Sequence, residues 1–376
     1  MSILCFLLEL SPLCAIVYFY LFWTQRKSSR LPNVSCKKSL FNSLVVQYCS
    51  DLLTKPYVPT IWAFLPKIQS VFFLLRSKWP LESKTEYLEV KNGRLIGITW
   101  PKDKEELRKI ASEERPVVLF IGSPDTDSNN FHPYIEAAYK YRFRPSIFIN
   151  SNSQKLPRLR HASENSRLKA GCEETDDYQD LAEAVLYITN KFPYSSLYIV
   201  SISFGCPTLL KFLASDARSK RLKAAAVVSP AWHKMKYPTM PVRPNGELPK
   251  PSSSKVKHSQ SLDSFFRKVT KSRYYSGSQG SILHRSTTLP NEVFSRLKRF
   301  SVPLLVVFSN DDKILAPDDK ARIGGAWKNS EMMLVVETYV GGHAGFMQGF
   351  VPVCWAANLV FQYFEATEKF KQATIG

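Results

Sequence analysis

Three residues that lie far apart in the chain have the types that nucleophilic acyl transfer needs: Ser203, Asp312 and His343. A serine hydroxyl becomes a nucleophile when a neighbouring imidazole removes its proton, and a buried carboxylate holds that imidazole in the right tautomer. Each of the three follows a short apolar segment with the composition of a buried strand. We therefore interpret Ser203 as a candidate nucleophile, His343 as its base and Asp312 as the acid.

The sequence around Ser203 is "SISFG", which matches a G-x-S-x-G turn except that Ser201 replaces the first glycine. Such a turn joins a strand to a helix so tightly that the positions two residues before and after the serine must be small. Gly205 meets this requirement, and Ser201 adds only a hydroxymethyl group. The motif alone is weak, because a serine before a glycine is also ordinary turn chemistry.

The candidate acid and base lie in loops rich in turn residues. In "VVFSNDDKILAP" two aspartates are adjacent, and their distance from Pro317 favours Asp312, with Asp311 as the alternative acid. In "ETYVGGHAGF" the glycines around His343, Gly342 among them, allow the loop to bend toward the serine. The alternative is a turn histidine with no chemical role. The chain order Ser, Asp, His is that of the α/β-hydrolase triad.

An oxyanion site needs two backbone N–H groups directed at the developing negative charge. One is expected from Phe204, the residue after the nucleophile, and the other from Ser123, in the loop after the apolar run that ends at Ile121. Gly122 leaves the backbone of that loop open. Nothing in the predicted site implies a metal or another cofactor.

Apolar runs rich in β-branched residues predict six strands, and helical patterns lie between them. This alternation predicts a mostly parallel twisted sheet with helices on both faces. Together with the chain order of the three candidate residues, it favours an α/β-hydrolase fold. The carboxyl ends of its strands would bring the candidate residues together. The predicted strands are Val117–Ile121, Ser146–Ile149, Leu197–Ile202, Ala224–Val228, Leu304–Phe308 and Met333–Glu337, and the predicted helices include Tyr178–Lys191 and a closing helix over Val351–Lys371.

Composition divides the chain into segments. Residues 235–293 are rich in Pro, Ser, Lys and Arg and break the alternation, which predicts a flexible basic insertion or lid. Residues 96–234 and 294–371 then form the α/β core. Residues 26–95 are an N-terminal extension, and residues 1–25 are a predicted transmembrane anchor.

The N-terminal segment has the length and composition of a membrane span. From Ile3 to Trp23 it is almost wholly apolar, and at 1.5 Å per residue it extends about 30 Å, the thickness of a hydrocarbon core. A cleaved signal peptide is the less favoured alternative, because a basic n-region and a small-residue cleavage site are missing. We expect a single-pass anchor in the endoplasmic reticulum or another endomembrane. The positive-inside rule favours a cytosolic catalytic domain, although its side of the membrane stays open.

Lys and Arg together number 51 against 32 Asp and Glu, which gives a formal net charge of +19. With the anchor, this charge favours an anionic bilayer as the partner over nucleic acid, for which no zinc spacing, RNP-like strand or helix-turn-helix signature is visible. The seven cysteines are widely spaced and odd in number, which fits neither a disulfide framework nor a metal site. The sequence does not indicate an oligomeric state.

Together these motifs resemble the membrane-anchored α/β-hydrolase group that includes abhydrolase domain-containing proteins 1 and 3 and the bacterial YheT-like esterases. The likeness covers about residues 41–364 and includes "FNSLVVQYCSDLLTKPYVPTIW", "ETDDYQDLAEAVLYITNKFP" and the three loops above, of which "GGHAGF" is the most specific. The resemblance implies Ser203 as nucleophile, Asp312 as acid and His343 as base. It also implies a lipid or acyl-ester substrate, such as an acylglycerol or a phospholipid.

Departures from the pattern of that group lie in the loops of the predicted site. "IGSPD" at 121–125 stands where the group has H-G-x-x-G, "NSNS" at 150–153 stands where it has N-x-R-G, and Cys206 replaces a further glycine. We expect a membrane-bound serine hydrolase that cleaves lipid esters through an acyl-serine, with an acyltransferase as a near variant. The alternative is a hydrolase-fold scaffold or lipid-binding protein with weak or no turnover.

Overall fold

The computed structural model describes residues 17–62, 68–70, 82–90, 94–103, 114–122, 128–151, 153, 156, 177–231, 300–315 and 317–375. All of them belong to one compact unit. The predicted anchor lies mostly outside these ranges, and the predicted insertion and Ser123 lie wholly outside them. Within the described part of the chain, no helix combines the length and the apolar composition that crossing a membrane requires.

A nine-stranded sheet lies at the centre of the described residues, in the order β1-β9-β8-β7-β6-β4-β5-β3-β2. Neighbours in the series β5-β4-β6-β7-β8-β9 are parallel, whereas β1 with β9, β3 with β5 and β2 with β3 are antiparallel. The strands are β1 (Asn33–Cys36), β2 (Ser83–Val90), β3 (Arg94–Pro101), β4 (Val117–Ile121), β5 (Arg144–Ile149), β6 (Leu197–Ile202), β7 (Leu222–Val228), β8 (Leu304–Ser309) and β9 (Met333–Thr338).

Helices cover both faces of the sheet, because side chains along each strand alternate between two apolar layers. A first helix covers residues 17–28, and the later helices are α1 (Leu40–Tyr48), α2 (Ser50–Leu53), α3 (His132–Lys140), α4 (Asp177–Lys191), α5 (Cys206–Ser215), α6 (Pro317–Ala326) and α7 (Trp355–Ile375). One layer packs α1, α3 and α7 against residues such as Val118 and Tyr198. The other packs α4, α5 and α6 against residues such as Val117 and Leu197. Burial on both faces explains why β4 is wholly apolar and β6 is apolar except for Ser201.

The predicted parallel sheet with helices on both faces is confirmed, and β4 and β6 have the predicted bounds. The predicted start of the closing helix at Val351 is wrong, because α7 begins at Trp355. Residues before it form the short hairpin of β10 (Met347–Gln348) and β11 (Val353–Cys354). Helical backbone is disfavoured at a residue that precedes proline, so Pro352 opposes helix formation at Val351.

The strand order changes direction between β4 and β6, which lie side by side. From β4 the chain passes through α3 to β5 on one side, and from β6 it passes through α5 to β7 on the other. The helices α3 and α5, which follow β4 and β6, lie in opposite layers. In open α/β sheets such a switch point lies at the carboxyl ends of the strands and is where ligands bind. The residue directly after β6 is Ser203.

Candidate active site

Ser203 lies in a strained turn between β6 and α5. Its φ of +58° falls in the left-handed region, which is unfavourable for a residue with a Cβ atom. A 3₁₀ turn over Ser203–Gly205 leads into α5, where Pro207 occupies the first turn, a position that suits proline. This geometry presents the Ser203 side chain at the carboxyl end of β6, as a nucleophile turn does.

Gly205 allows this turn to approach the end of β4 closely. A Cβ atom at Gly205 would lie 2.8 Å from the Ile121 carbonyl oxygen and 2.9 Å from the Gly122 carbonyl oxygen. Both neighbours are backbone atoms, so a side chain here would have to move the strand. Gly205 and Gly122, two of the supporting residues predicted from the sequence, thus lie on opposite sides of one contact.

We expect Gly205→Ala to lower the free energy of unfolding by about 1–3 kcal/mol, because the added methyl group overpacks the contact with β4. Equilibrium unfolding in urea measures the change. Gly324→Ala is the matched control, since a Cβ atom there meets nothing within 4 Å, and it is expected to be neutral or stabilising in helix α6. Equal destabilisation of the two variants would contradict the close approach.

A continuous series of hydrogen bonds connects Ser203, His343 and Asp312. Ser203 Oγ lies 2.7 Å from His343 Nε2, and His343 Nδ1 lies 2.9 Å from Asp312 Oδ2. When Nδ1–H donates to the carboxylate, the lone pair of Nε2 faces the serine hydroxyl. The Asp312 side chain is fully buried and His343 is only slightly exposed. The loops after β6, β8 and β9 thus bring the three predicted residues into the arrangement that proton removal needs.

The two adjacent aspartates have different partners. Asp312 Oδ1 accepts a hydrogen bond from the Ile314 amide at 2.8 Å, while Oδ2 faces His343. Burial acts to raise the pKa of Asp312, but its interactions with the His343 ring and with backbone amides outweigh burial and hold the pKa below its usual value. Asp311 instead accepts a hydrogen bond from the Gly342 amide at 2.9 Å, and burial raises its pKa. Asp312, not Asp311, therefore contacts the imidazole.

The two unusual residues near Ser203 are buried. The Ser201 hydroxyl makes no hydrogen bond to a nitrogen or oxygen atom of the described residues. The Cys206 Sγ lies 3.5 Å from the Ser201 carbonyl oxygen and 3.8 Å from that of Val228. Burial raises the pKa of the Cys206 thiol to about 12, so the thiol stays protonated and unreactive at neutral pH. Serine and cysteine thus fit where the resembled group has glycines.

The structure describes one of the two residues predicted to donate an amide to the oxyanion. Phe204 follows Ser203 in the 3₁₀ turn, as the prediction requires. Ser123 lies outside the described residues, although Gly122 before it is described and lies next to Gly205. The loop after β4 therefore starts beside the nucleophile turn, and the amide of Ser123 stays a prediction.

The structure adds polar side chains that the sequence did not single out. Ser70 and Ser229 accept hydrogen bonds from the amides of His343 and Ala344, each at 2.9 Å. Gln69 is also buried against the loop that carries His343. The one signal in the sequence is the polar pair "QS" between apolar residues in "IQSVFFLL". Such a signal does not show which distant backbone the pair contacts.

The strand order, the turn after β6 and the contacting Ser, His and Asp side chains define an α/β-hydrolase fold. No family model matches the chain. The chain is 23% identical over 350 residues to Phospholipase ABHD3 of Mus musculus, a match that covers 86% of this chain and 81% of that protein. It is 23% identical over 333 residues to Protein ABHD15 of Homo sapiens, covering 83% and 69%. These similarities confirm the resemblance to abhydrolase domain-containing proteins.

Solved structures of similar shape include an esterase from Rhizomucor miehei, with 12% identity and a TM-score of 0.48 over 90% of this chain and 93% of that one. A lipase described as putative from Acinetobacter baumannii AYE has 12% identity and a TM-score of 0.44, covering 89% and 99%. The fold assignment rests on the strand order of this chain and on the turn at Ser203.

Proposed function

We propose that the protein is a membrane-associated serine hydrolase that cleaves carboxylic esters of acylglycerols or phospholipids through an acyl-serine intermediate. The observation that carries this proposal is the pair of hydrogen bonds that joins Ser203 to His343 at 2.7 Å and His343 to Asp312 at 2.9 Å. A lipid ester as substrate is supported by the Mus musculus relative, which is named a phospholipase.

In the first step, Ser203 Oγ attacks the ester carbonyl carbon while His343 Nε2 takes the hydroxyl proton. Asp312 keeps Nδ1 protonated and stabilises the imidazolium. The amides of Phe204 and Ser123 are the proposed donors to the oxyanion. The tetrahedral intermediate then breaks its bond to the alcohol oxygen, which takes the proton from His343, and the acyl group stays on Ser203.

In the second step, water attacks the acyl carbon while His343 removes one of its protons. The bond to Ser203 Oγ breaks, the carboxylic acid leaves, and the serine recovers its proton from His343. An alcohol in place of water would give acyl transfer, the near variant. A scaffold or lipid-binding protein without turnover is the alternative, and it differs in that no acyl-enzyme forms.

A fluorophosphonate probe tests the proposed nucleophile, because it reacts with a serine that a neighbouring base activates. The wild-type protein is expected to be labelled on the peptide that contains Ser203, and Ser203→Ala is expected to lose the label. Labelling that persists in Ser203→Ala would assign the nucleophile elsewhere. No labelling of a folded wild-type protein would favour the scaffold.

Membrane association is supported by exposed aromatic residues next to basic ones. The helix at residues 17–28 exposes Tyr18, Phe19 and Trp23, and Lys27 Nζ lies 3.8 Å from the centre of the Trp23 ring. Aromatic rings prefer the headgroup level of a bilayer, and basic side chains attract anionic lipids. The net charge of +19 acts in the same direction.

The hairpin of β10 and β11 adds a second exposed apolar feature beside that helix. At its tip Phe350 is 82% exposed and Val351 is 73% exposed. Gln25 of the helix donates a side-chain hydrogen bond to the Pro59 carbonyl at 2.7 Å, and Pro59 pairs with Gln348 of the hairpin. We call the exposed side chains of residues 17–28 and 350–351 the interfacial surface. The hairpin directly follows the loop that carries His343 in the chain, which suits a substrate drawn from a bilayer.

We expect the double variant Phe350→Ser/Val351→Ser to hydrolyse phospholipid in vesicles with 30 mol% phosphatidylserine about tenfold more slowly, because it loses apolar area that the bilayer would bury. Its rate on a soluble short-chain ester is expected to stay unchanged. Tyr194→Ser is the matched control, since Tyr194 is an exposed aromatic residue before the amino end of β6. Equal losses on vesicles and on the soluble ester would contradict a membrane role of the hairpin.

An N-terminal anchor over residues 1–25 and an endomembrane location are also part of the proposal. They rest on the apolar composition of that segment and on the basic residues that follow it. Protease protection in sealed membrane vesicles distinguishes the two possible sides, because a cytosolic catalytic domain is digested without detergent and a lumenal one is not.

A further inference from the structure

The loop that carries His343 departs from ordinary backbone conformation. Between β9 and β10, three alternate residues have φ in the left-handed region, namely Gly342 at +60°, Ala344 at +60° and Phe346 at +46°. This conformation is unfavourable for alanine and phenylalanine, and it persists only where surrounding contacts hold it. His343 lies between two of these residues, so the position of its ring depends on those contacts.

Polar side chains from three separate segments hold the amides of this loop. The amides donate to side-chain oxygens, as follows: Gly342 to Asp311 at 2.9 Å, His343 to Ser70 at 2.9 Å, Ala344 to Ser229 at 2.9 Å and Met347 to Gln69 at 2.7 Å. Asp311 and Ser229 follow strands of the core sheet. Gln69 and Ser70 instead belong to the N-terminal extension, and Ser70 is 273 positions from His343 in the sequence.

Gln69 makes contacts on both its oxygen and its nitrogen. It is fully buried, its Oε1 accepts from the Met347 amide, and its Nε2 donates to the Tyr57 hydroxyl at 3.3 Å and to the Met347 carbonyl at 3.4 Å. A Cβ atom on Gly345 would lie 2.8 Å from backbone atoms of Gln69. The glycine thus permits direct contact between the extension and the loop, and neither segment can shift far without breaking it.

We propose that Ser70 and Gln69 are positioning residues for His343, so that the N-terminal extension completes the active site. This inference rests on the proposed function. Both side chains contact the backbone of the loop that carries the ring, and we infer that they act through it. Ser70 fixes the His343 amide itself, and Gln69 fixes the end of the same loop. When a catalytic group such as this histidine is displaced by about 1 Å, the rate of the catalysed reaction can fall about 10²-fold.

Ser70→Ala removes the acceptor of the His343 amide and leaves the rest of the chain unchanged. We expect kcat on a soluble short-chain ester to fall about 10- to 100-fold and KM to change less than about twofold. Ser70→Thr keeps a hydroxyl and is expected to restore most of kcat. Ser215→Ala, at the exposed end of α5, is the matched control. Circular dichroism and the Tm show whether each variant is folded.

Hydrogen–deuterium exchange provides a readout that does not depend on activity. Peptides that contain residues 342–347 are expected to exchange faster in folded Ser70→Ala and in folded Gln69→Ala than in the wild-type protein. Unchanged exchange, or an unchanged kcat in both folded variants, would overturn the inference. A wild-type protein that hydrolyses no ester would contradict the proposed function instead, while exchange would still show whether these side chains hold the loop.

Discussion

Replacing Ser203 with alanine is expected to lower kcat for ester hydrolysis by about 10⁶-fold, because the covalent step has no other nucleophile in the proposed mechanism. Initial rates on a soluble short-chain ester measure the loss. Ser43→Ala is the control, since Ser43 is exposed on α1, away from the three loops of the site. Its rate is expected to equal that of the wild-type protein.

The double variant Ser203→Ala/His343→Ala sharpens this test. Because the serine and the histidine act as one unit, the second substitution is expected to add less than about threefold to the loss. If the loss in the double variant instead equalled the product of the losses in the two single variants, His343 would act in a step that does not involve Ser203. Substantial activity in Ser203→Ala alone would contradict the proposed mechanism.

Asp312→Asn is expected to lower kcat by about 10⁴-fold, because an amide cannot stabilise the imidazolium and favours the wrong tautomer of His343. The basis is the 2.9 Å contact between His343 Nδ1 and Asp312 Oδ2. Asp311→Asn is the matched neighbour, and its oxygen can still accept from the Gly342 amide. We expect a loss of at most about tenfold for it. A larger loss in Asp311→Asn than in Asp312→Asn, measured as kcat at constant pH, would reverse the assignment of the acid.

The sequence predicts the central strands well because they are buried on both faces. β4 and β6 consist almost entirely of apolar residues, so their limits are visible without knowledge of their neighbours. The sequence does not predict the strands β1, β2 and β3. β2, "SKTEYLEV", lies at one end of the sheet and is mostly exposed or half-buried, so its composition does not separate it from a loop.

The candidate site shows the same division between local and distant signals. The turn at Ser203 and the loop at His343 have local glycine patterns, and strand order alone predicts that they converge. Ser70 and Gln69 have no such pattern, because their contacts are with backbone amides more than 250 positions away. A backbone amide is present whatever the residue type, so these contacts require no particular residue in the loop. The sequence alone therefore does not reveal that Ser70 and Gln69 contact it.

Strand β1 has a practical consequence for the preparation of the protein. It pairs along its whole length with β9, from Asn33 opposite Glu337 to Cys36 opposite Leu334. A shortened version that starts after Cys36, made to remove the apolar beginning of the chain, would leave the backbone groups of β9 unpaired on that side. Unpaired strands of this kind recruit other copies and aggregate. Truncations intended for crystallisation should therefore retain Asn33–Cys36.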